Sequence, residues 1–168
     1  MRKQILLAVM LAFVTAIAWS AETSQLKTDK VKAAVLKAID DYWRAYESKD
    51  LNKVMAMTAP GFFGYGTGKD EKAVGIEQLK QSLARDFTQA KNISVQRTLA
   101  GFGRSGAIAW TAHEVIFKVQ TDKGDVRMEG RLSMVLQKKG GKWLVEHTHF
   151  SAPLAEQQEG QSYPAATK

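Results

Sequence analysis

Two of the three histidines in this chain stand two residues apart, in the stretch Lys142-Trp143-Leu144-Val145-Glu146-His147-Thr148-His149-Phe150-Ser151. Imidazole titrates near neutral pH and can either donate or accept a hydrogen bond, so such a pair suits proton transfer or the orientation of a polar ligand. On a strand alternate side chains share a face, which puts Trp143, Val145, His147, His149 and Ser151 in one row, apolar at one end and polar at the other. That row predicts a strand running from packed core to the mouth of a pocket. Arg131 stands on the preceding strand: if its face lines the pocket it is a clamp for an anion, and if the face is wet it is a surface charge paired across strands with groups such as Glu129. Glu71 follows a glycine-rich turn and is either an acceptor for backbone amides or a base. Among the aromatics, Trp43 and Phe62 are expected in the packing, with Tyr46 and Tyr65 nearer a cavity.

Other chemistries are poorly supported. His147-x-His149 six residues after Gly141 matches the first half of a cupin metal motif, but the glutamate that motif needs would fall at Pro153 or Leu154. A third ligand would have to be Glu114, Glu129 or His113, brought close by the sheet, so no metal or cofactor is expected. The chain has no cysteine, which excludes thiol catalysis and zinc-thiolate sites. Gly103-Arg104-Ser105-Gly106 is one residue short of a nucleophile elbow, and no phosphate-binding glycine loop precedes a helix and lysine. No complete catalytic set emerges, and catalytic residues stay unassigned.

The elements that must position these groups are legible from periodicity. Val31, Ala34, Val35, Ala38, Ile39, Tyr42, Trp43 and Tyr46 recur at helical spacing from Lys30. Asp50 caps a second helix carrying Leu51, Val54 and Met55, expected to reach Pro60. The glycine-rich stretch 61–68 reads as a short strand and turn, and Gly75 opens a third helix with Ile76, Leu79, Leu83 and Phe87. The period then changes to two: a strand through Ile93, Val95 and Leu99, a turn over Gly101 to Gly106, and a run from Ala107 to Val119 apolar enough for a strand covered on both faces. After Asp122-Lys123-Gly124-Asp125, a hairpin signal, Val126, Met128, Leu132, Met134 and Leu136 share one face, with Arg127, Glu129, Arg131 and Ser133 on the other. A second hairpin over Lys138 to Lys142 leads into the histidine strand.

Arg2 and Lys3, the apolar run from Ile5 to Ala16 and the small-residue pattern Ala18-Trp19-Ser20 predict a signal peptide over 1–20 cut near Ser20/Ala21, hence a periplasmic or secreted protein. The expected order is then a flexible lead over 21–29, one domain over 30–153 and a disordered tail over 154–168. The apolar run is too short for a membrane span. A net charge of +7 without basic runs interleaved with aromatics does not point to nucleic acid.

Asp41-Tyr42-Trp43, Asp50-Leu51, Gly66-Thr67-Gly68-Lys69-Asp70-Glu71, Gly75 and Gly141-Lys142-Trp143 followed by His147 to Ser151 resemble the SnoaL-like branch of the nuclear transport factor 2-like superfamily. They also resemble the association domain of calcium/calmodulin-dependent kinase. The resemblance covers about Val31 to Pro153 and implies an α+β, cone-shaped fold, with three N-terminal helices packed on a curved, mainly antiparallel sheet. It implies three readings of function. The first is a binding cone for a small molecule, anionic or carboxylate-bearing, held by Tyr46, Tyr65, Glu71, Arg131, His147, His149 and Ser151. The second is a cofactor-independent isomerase, dehydratase or cyclase using a pocket histidine or glutamate. The third, compatible with either, is an interaction module that forms a homodimer through the sheet.

Overall fold

The computed structural model describes residues 28–154, 157 and 159–163. The expected signal peptide, most of the lead and part of the tail lie outside the described residues. The chain divides between Lys37 and Ala38 into two units. Of the first, residues 28–37 are described and are helical, so helix already covers Thr28 and Asp29 of the expected lead. All else described belongs to the second.

Helix α1 (28–47) carries Ile39, Tyr42, Trp43 and Ala45 into the core of the second unit, as three- and four-residue spacing requires. It ends at Lys49, whose φ of 56° reverses the chain. Lys49 Nζ then donates to the Ala90 carbonyl at 2.8 Å. Asp50 caps α2 (Leu51–Ala56) by accepting from the Lys53 amide. This helix stops before Pro60, because Thr58–Tyr65 is already strand β1. Pro60 falls where the pairing of β1 with its neighbour is interrupted, between Thr58 and Phe63, a place where a missing N–H costs no ladder bond.

A short strand, β2 (Lys72–Val74), follows, then α3 (Ile76–Gln89), opened by Gly75 with φ 81°. The rest is a meander: β3 (Ala90–Ser105), β4 (Ile108–Thr121), β5 (Gly124–Lys139) and β6 (Lys142–Ser151). The six strands form one open mixed sheet in the order β2-β1-β6-β5-β4-β3. Only β1 and β6 run parallel. The fold is α+β with helices on a curved sheet, as expected.

Three strand expectations are corrected. The turn expected over Gly101 to Gly106 shrinks to Gly106 and Ala107, and β3 runs on through Gly101 and Gly103. Those glycines make room for the indole of Trp110, since a Cβ at Gly103 would fall 2.2 Å from its Nε1. Strand β4 is not covered on both faces. Ala109, Thr111, His113, Val115 and Phe117 are buried, whereas Ile108 and Trp110 are exposed, Trp110 by 50%.

The third correction concerns the histidines. In the pairing of β5 with β6, Leu136 faces Val145 but Val135 faces His147, so Glu146 is the extra residue of a β-bulge. A bulge shifts the side-chain phase by one. Trp143 and Val145 point into the core, but beyond Glu146 it is Thr148 and Phe150 that share the face of Met134 and Leu132, while His147, His149 and Ser151 share that of Val135, Ser133 and Arg131.

Candidate functional site

Between the concave face of the sheet and helices α1 and α3 the second unit keeps a cavity of about 290 Å³. Its walls are aromatic because α1 and the inward positions of β4 and β6 carry rings. Trp43 meets Tyr46 and Phe117 edge to face, with centroids 5.3 and 5.6 Å apart, and Phe117 meets Phe150 at 5.0 Å. Phe150 lies flat against the sheet only because Gly130 beneath it has no side chain: a Cβ there would come within 2.5 Å of its ring and 2.4 Å of the Ser151 carbonyl. Phe62, Leu83, Ile93, Val126 and Met128 add to the apolar lining.

The polar corner is small. Asp86 of α3 lines the cavity beside Tyr46 of α1. Burial first, then the negative charge of Glu71, raises the Asp86 pKa, against the opposing pull of Arg85 and of the neighbouring Tyr46 hydroxyl. Burial chiefly, with the Asp86 charge next, raises the Tyr46 hydroxyl as well. Tyr42, buried near Thr58, is raised mainly by desolvation. Both tyrosines are therefore neutral hydrogen-bonding groups at ordinary pH.

Of the residues singled out in the sequence, Tyr46 and Glu71 line the cavity. Glu71 is committed to structure, since its carboxylate accepts from the Gly68 amide at 2.8 Å and its backbone closes the same turn. Tyr65 touches the rim but is 43% exposed, and its ring meets His149 edge to face at 5.8 Å. Arg131, His147, His149 and Ser151 do not line the cavity. Arg131 is exposed on the convex face, directly across from Glu114 and Ser151. His147 uses Nδ1 at 2.8 Å from the Phe63 carbonyl, where it must donate, and stacks on the Phe63 ring. It fastens β6 to β1.

Sequence reasoning missed Asp86, although a signal was there. Asp86 follows the apolar stripe of Ile76, Leu79 and Leu83 and falls in the last turn of α3, where a carboxylate opposes the helix dipole. It missed Thr148 and Phe150 because the bulge at Glu146 leaves no mark on alternation. It also passed over Arg97, and weighed the buried His113 only as a third metal ligand. Arg97 donates to Asp40 at 2.8 Å with its guanidinium 6.0 Å from the Trp43 ring centroid. His113 shares a 3.0 Å hydrogen bond with Thr111, and its Nδ1 has no partner among the described residues. Desolvation, then the Arg97 charge, lowers the His113 pKa, partly offset by Asp40.

Comparison with known proteins agrees with this fold. Residues 35–155 match the family model described as SnoaL-like domain. Similar solved structures include a candidate scytalone dehydratase from Novosphingobium aromaticivorans (15% identity, TM-score 0.70, 77% of this chain and 89% of that one). A candidate dehydratase of the nuclear transport factor 2-like family from Streptomyces avermitilis is similar at 16% identity (TM-score 0.68, 76% and 99%). A candidate calcium/calmodulin-dependent protein kinase II association domain from Xanthomonas campestris is similar at 23% (TM-score 0.62, 74% and 87%). At these identities the likeness is one of fold. No curated protein gave a significant sequence match.

Proposed function

The chain belongs to the SnoaL-like domain family, and from that premise we propose that its cavity binds one small, largely apolar molecule whose polar group meets Asp86 and Tyr46. The observation that carries this reading is the Asp86 carboxyl and Tyr46 hydroxyl side by side in an otherwise largely apolar, aromatic-rich wall. A concave, largely apolar space with a few convergent polar groups is the usual form of a ligand site. The anion clamp expected of Arg131 plays no part in it. Export ahead of Ala21 belongs to the same proposal, supported by Arg2, Lys3, the apolar run and Ala18-Trp19-Ser20.

Native mass spectrometry of the protein purified from its own host tests both points. A bound small-molecule mass on a chain beginning at Ala21 supports them. A chain that retains Met1 sinks export. A ligand-free protein whose melting temperature is unmoved by an apolar metabolite panel sinks binding.

A second reading, an isomerase or dehydratase, is favoured by the raised Asp86 carboxyl beside a tyrosine hydroxyl, a pairing able to exchange a proton with a bound carbonyl compound. The pocket histidine of the sequence reading gives way to Asp86. Turnover of a β-hydroxycarbonyl panel that disappears in Asp86→Asn supports it, and no turnover across that panel removes it. Association of two copies through the convex face is supported by the exposed Trp110 and Ile108. Sedimentation velocity that stays monomeric at high protein concentration would overturn it.

A further inference from the structure

We propose that the cavity selects a protonated amine carried on an apolar, preferably aromatic, body and disfavours a carboxylate. This rests on the reading of the cavity as a small-molecule site and adds the class of ligand. The chain as a whole is basic, with a net charge of +7, yet among the described residues no lysine, arginine or histidine lines the cavity, whereas Glu71 and Asp86 both do. The charge inside thus opposes the charge of the protein.

Those two carboxylates are only partly neutralised from behind. Arg85 is the basic group nearest them, and its short contact goes to Asp70 at 2.8 Å. It stands 3.8 Å from Glu71 and 3.9 Å from Asp86, distances beyond a good hydrogen bond. Glu71 gives one oxygen to the Gly68 amide, and Asp86 lies beside the Tyr46 hydroxyl. A carboxylate has acceptor capacity for further donors after one such bond, and an ammonium N–H would meet Asp86 with both charge and geometry in its favour.

The rest of the wall suits the same ligand. The rings of Trp43, Tyr46, Phe117 and Phe150 offer negative π faces to a cation and flat apolar area to its body. An anion of equal size would meet two like charges there.

The experiment uses the full chain and three probes on one body: 2-phenylethylamine, 2-phenylethanol and 3-phenylpropanoate, followed by ligand-observed NMR and calorimetry at pH 7.5, with naphthyl analogues as a second body size. The amine is expected to bind at least about tenfold tighter than the alcohol, the scale of one charge-assisted hydrogen bond, with the carboxylate weakest. Asp86→Asn should bring the amine down to the affinity of the alcohol. Lowering the pH through the raised range of the Asp86 carboxyl should do the same in the unmodified protein. An alcohol or carboxylate that binds as tightly as the amine overturns the selectivity while leaving the cavity reading intact. An amine advantage that survives in Asp86→Asn overturns the assignment to Asp86. No binding by any probe of either size defeats both readings together.

Discussion

Asp86 and His113 both titrate away from their usual ranges, and they pull the stability of the domain in opposite directions with pH. The Asp86 pKa is raised in the folded chain, so its neutral form is the favoured one. Its contribution is fully present below the ordinary carboxylate range and is lost as pH rises through the raised value. Asp86→Asn should therefore raise the urea midpoint at pH 7.5, with the gain vanishing near pH 3. A midpoint that falls at both pH values would show that the carboxylate is a net stabiliser. His113 is lowered, so stability is present above the usual histidine range and drains away as pH falls through it. His113→Gln should flatten the stability profile between about pH 7 and pH 5, a window set by the ordinary histidine pKa. An unchanged profile would locate acid sensitivity elsewhere. At this scale the sequence was a poor guide. Histidine draws attention because its chemistry is versatile, but His147 is spent on the Phe63 carbonyl, and the one reactive pairing in the cavity joins residues forty positions apart on two helices.

Elements were far more legible than the direction of single side chains. Helix α3 and strands β3 to β6 follow the change from helical spacing to alternation, because burial of one face enforces that pattern. What alternation cannot show is a change of phase inside a strand, and Glu146 supplies one. Deleting Glu146 should remove the bulge and leave Trp143, Val145, Thr148 and Phe150 in one regular inward row, with His147 and His149 still outward. Retained probe binding with a retained far-ultraviolet β signal is the expected outcome, and loss of binding would mean that the bulge itself shapes the wall. Glycines misled in a similar way. Gly101 and Gly103, expected in a turn, lie within β3, and Gly130 is the seat of Phe150, so Gly130→Ala must displace the Ser151 backbone. The expected cost is about 1–3 kcal/mol by chemical denaturation, in the range of core overpacking. A cost near zero would mean that β6 can slide away freely.

Across the whole second unit the sheet order carries a further lesson. The sequence announced four consecutive antiparallel strands, since hairpin turns are local. It could not announce that β1 lies beside β6, because no local signal encodes a parallel pairing of segments so distant in the chain. That pairing puts Phe62 and Gly64 into the cavity lining next to Thr148. His147 holds the seam, so His147→Ala should cost about 1 kcal/mol, the usual worth of one hydrogen bond. Probe affinity should stay within about twofold, a factor worth under 1 kcal/mol. A large loss of affinity would return the histidine to the site.

The β1 and β6 seam also fixes when the cavity can first exist. A ribosome releases residues 58–65 long before residues 142–151, so the first strand waits without its partner while the meander is made. Pairings of such separation are slow to form, because the chain entropy must be given up before the contact rewards it. The cavity is therefore completed by the last strand to emerge, and no ligand can serve as a template for the nascent chain. Loading is an event in the life of the finished protein, and for a chain exported as proposed it belongs to the compartment of arrival.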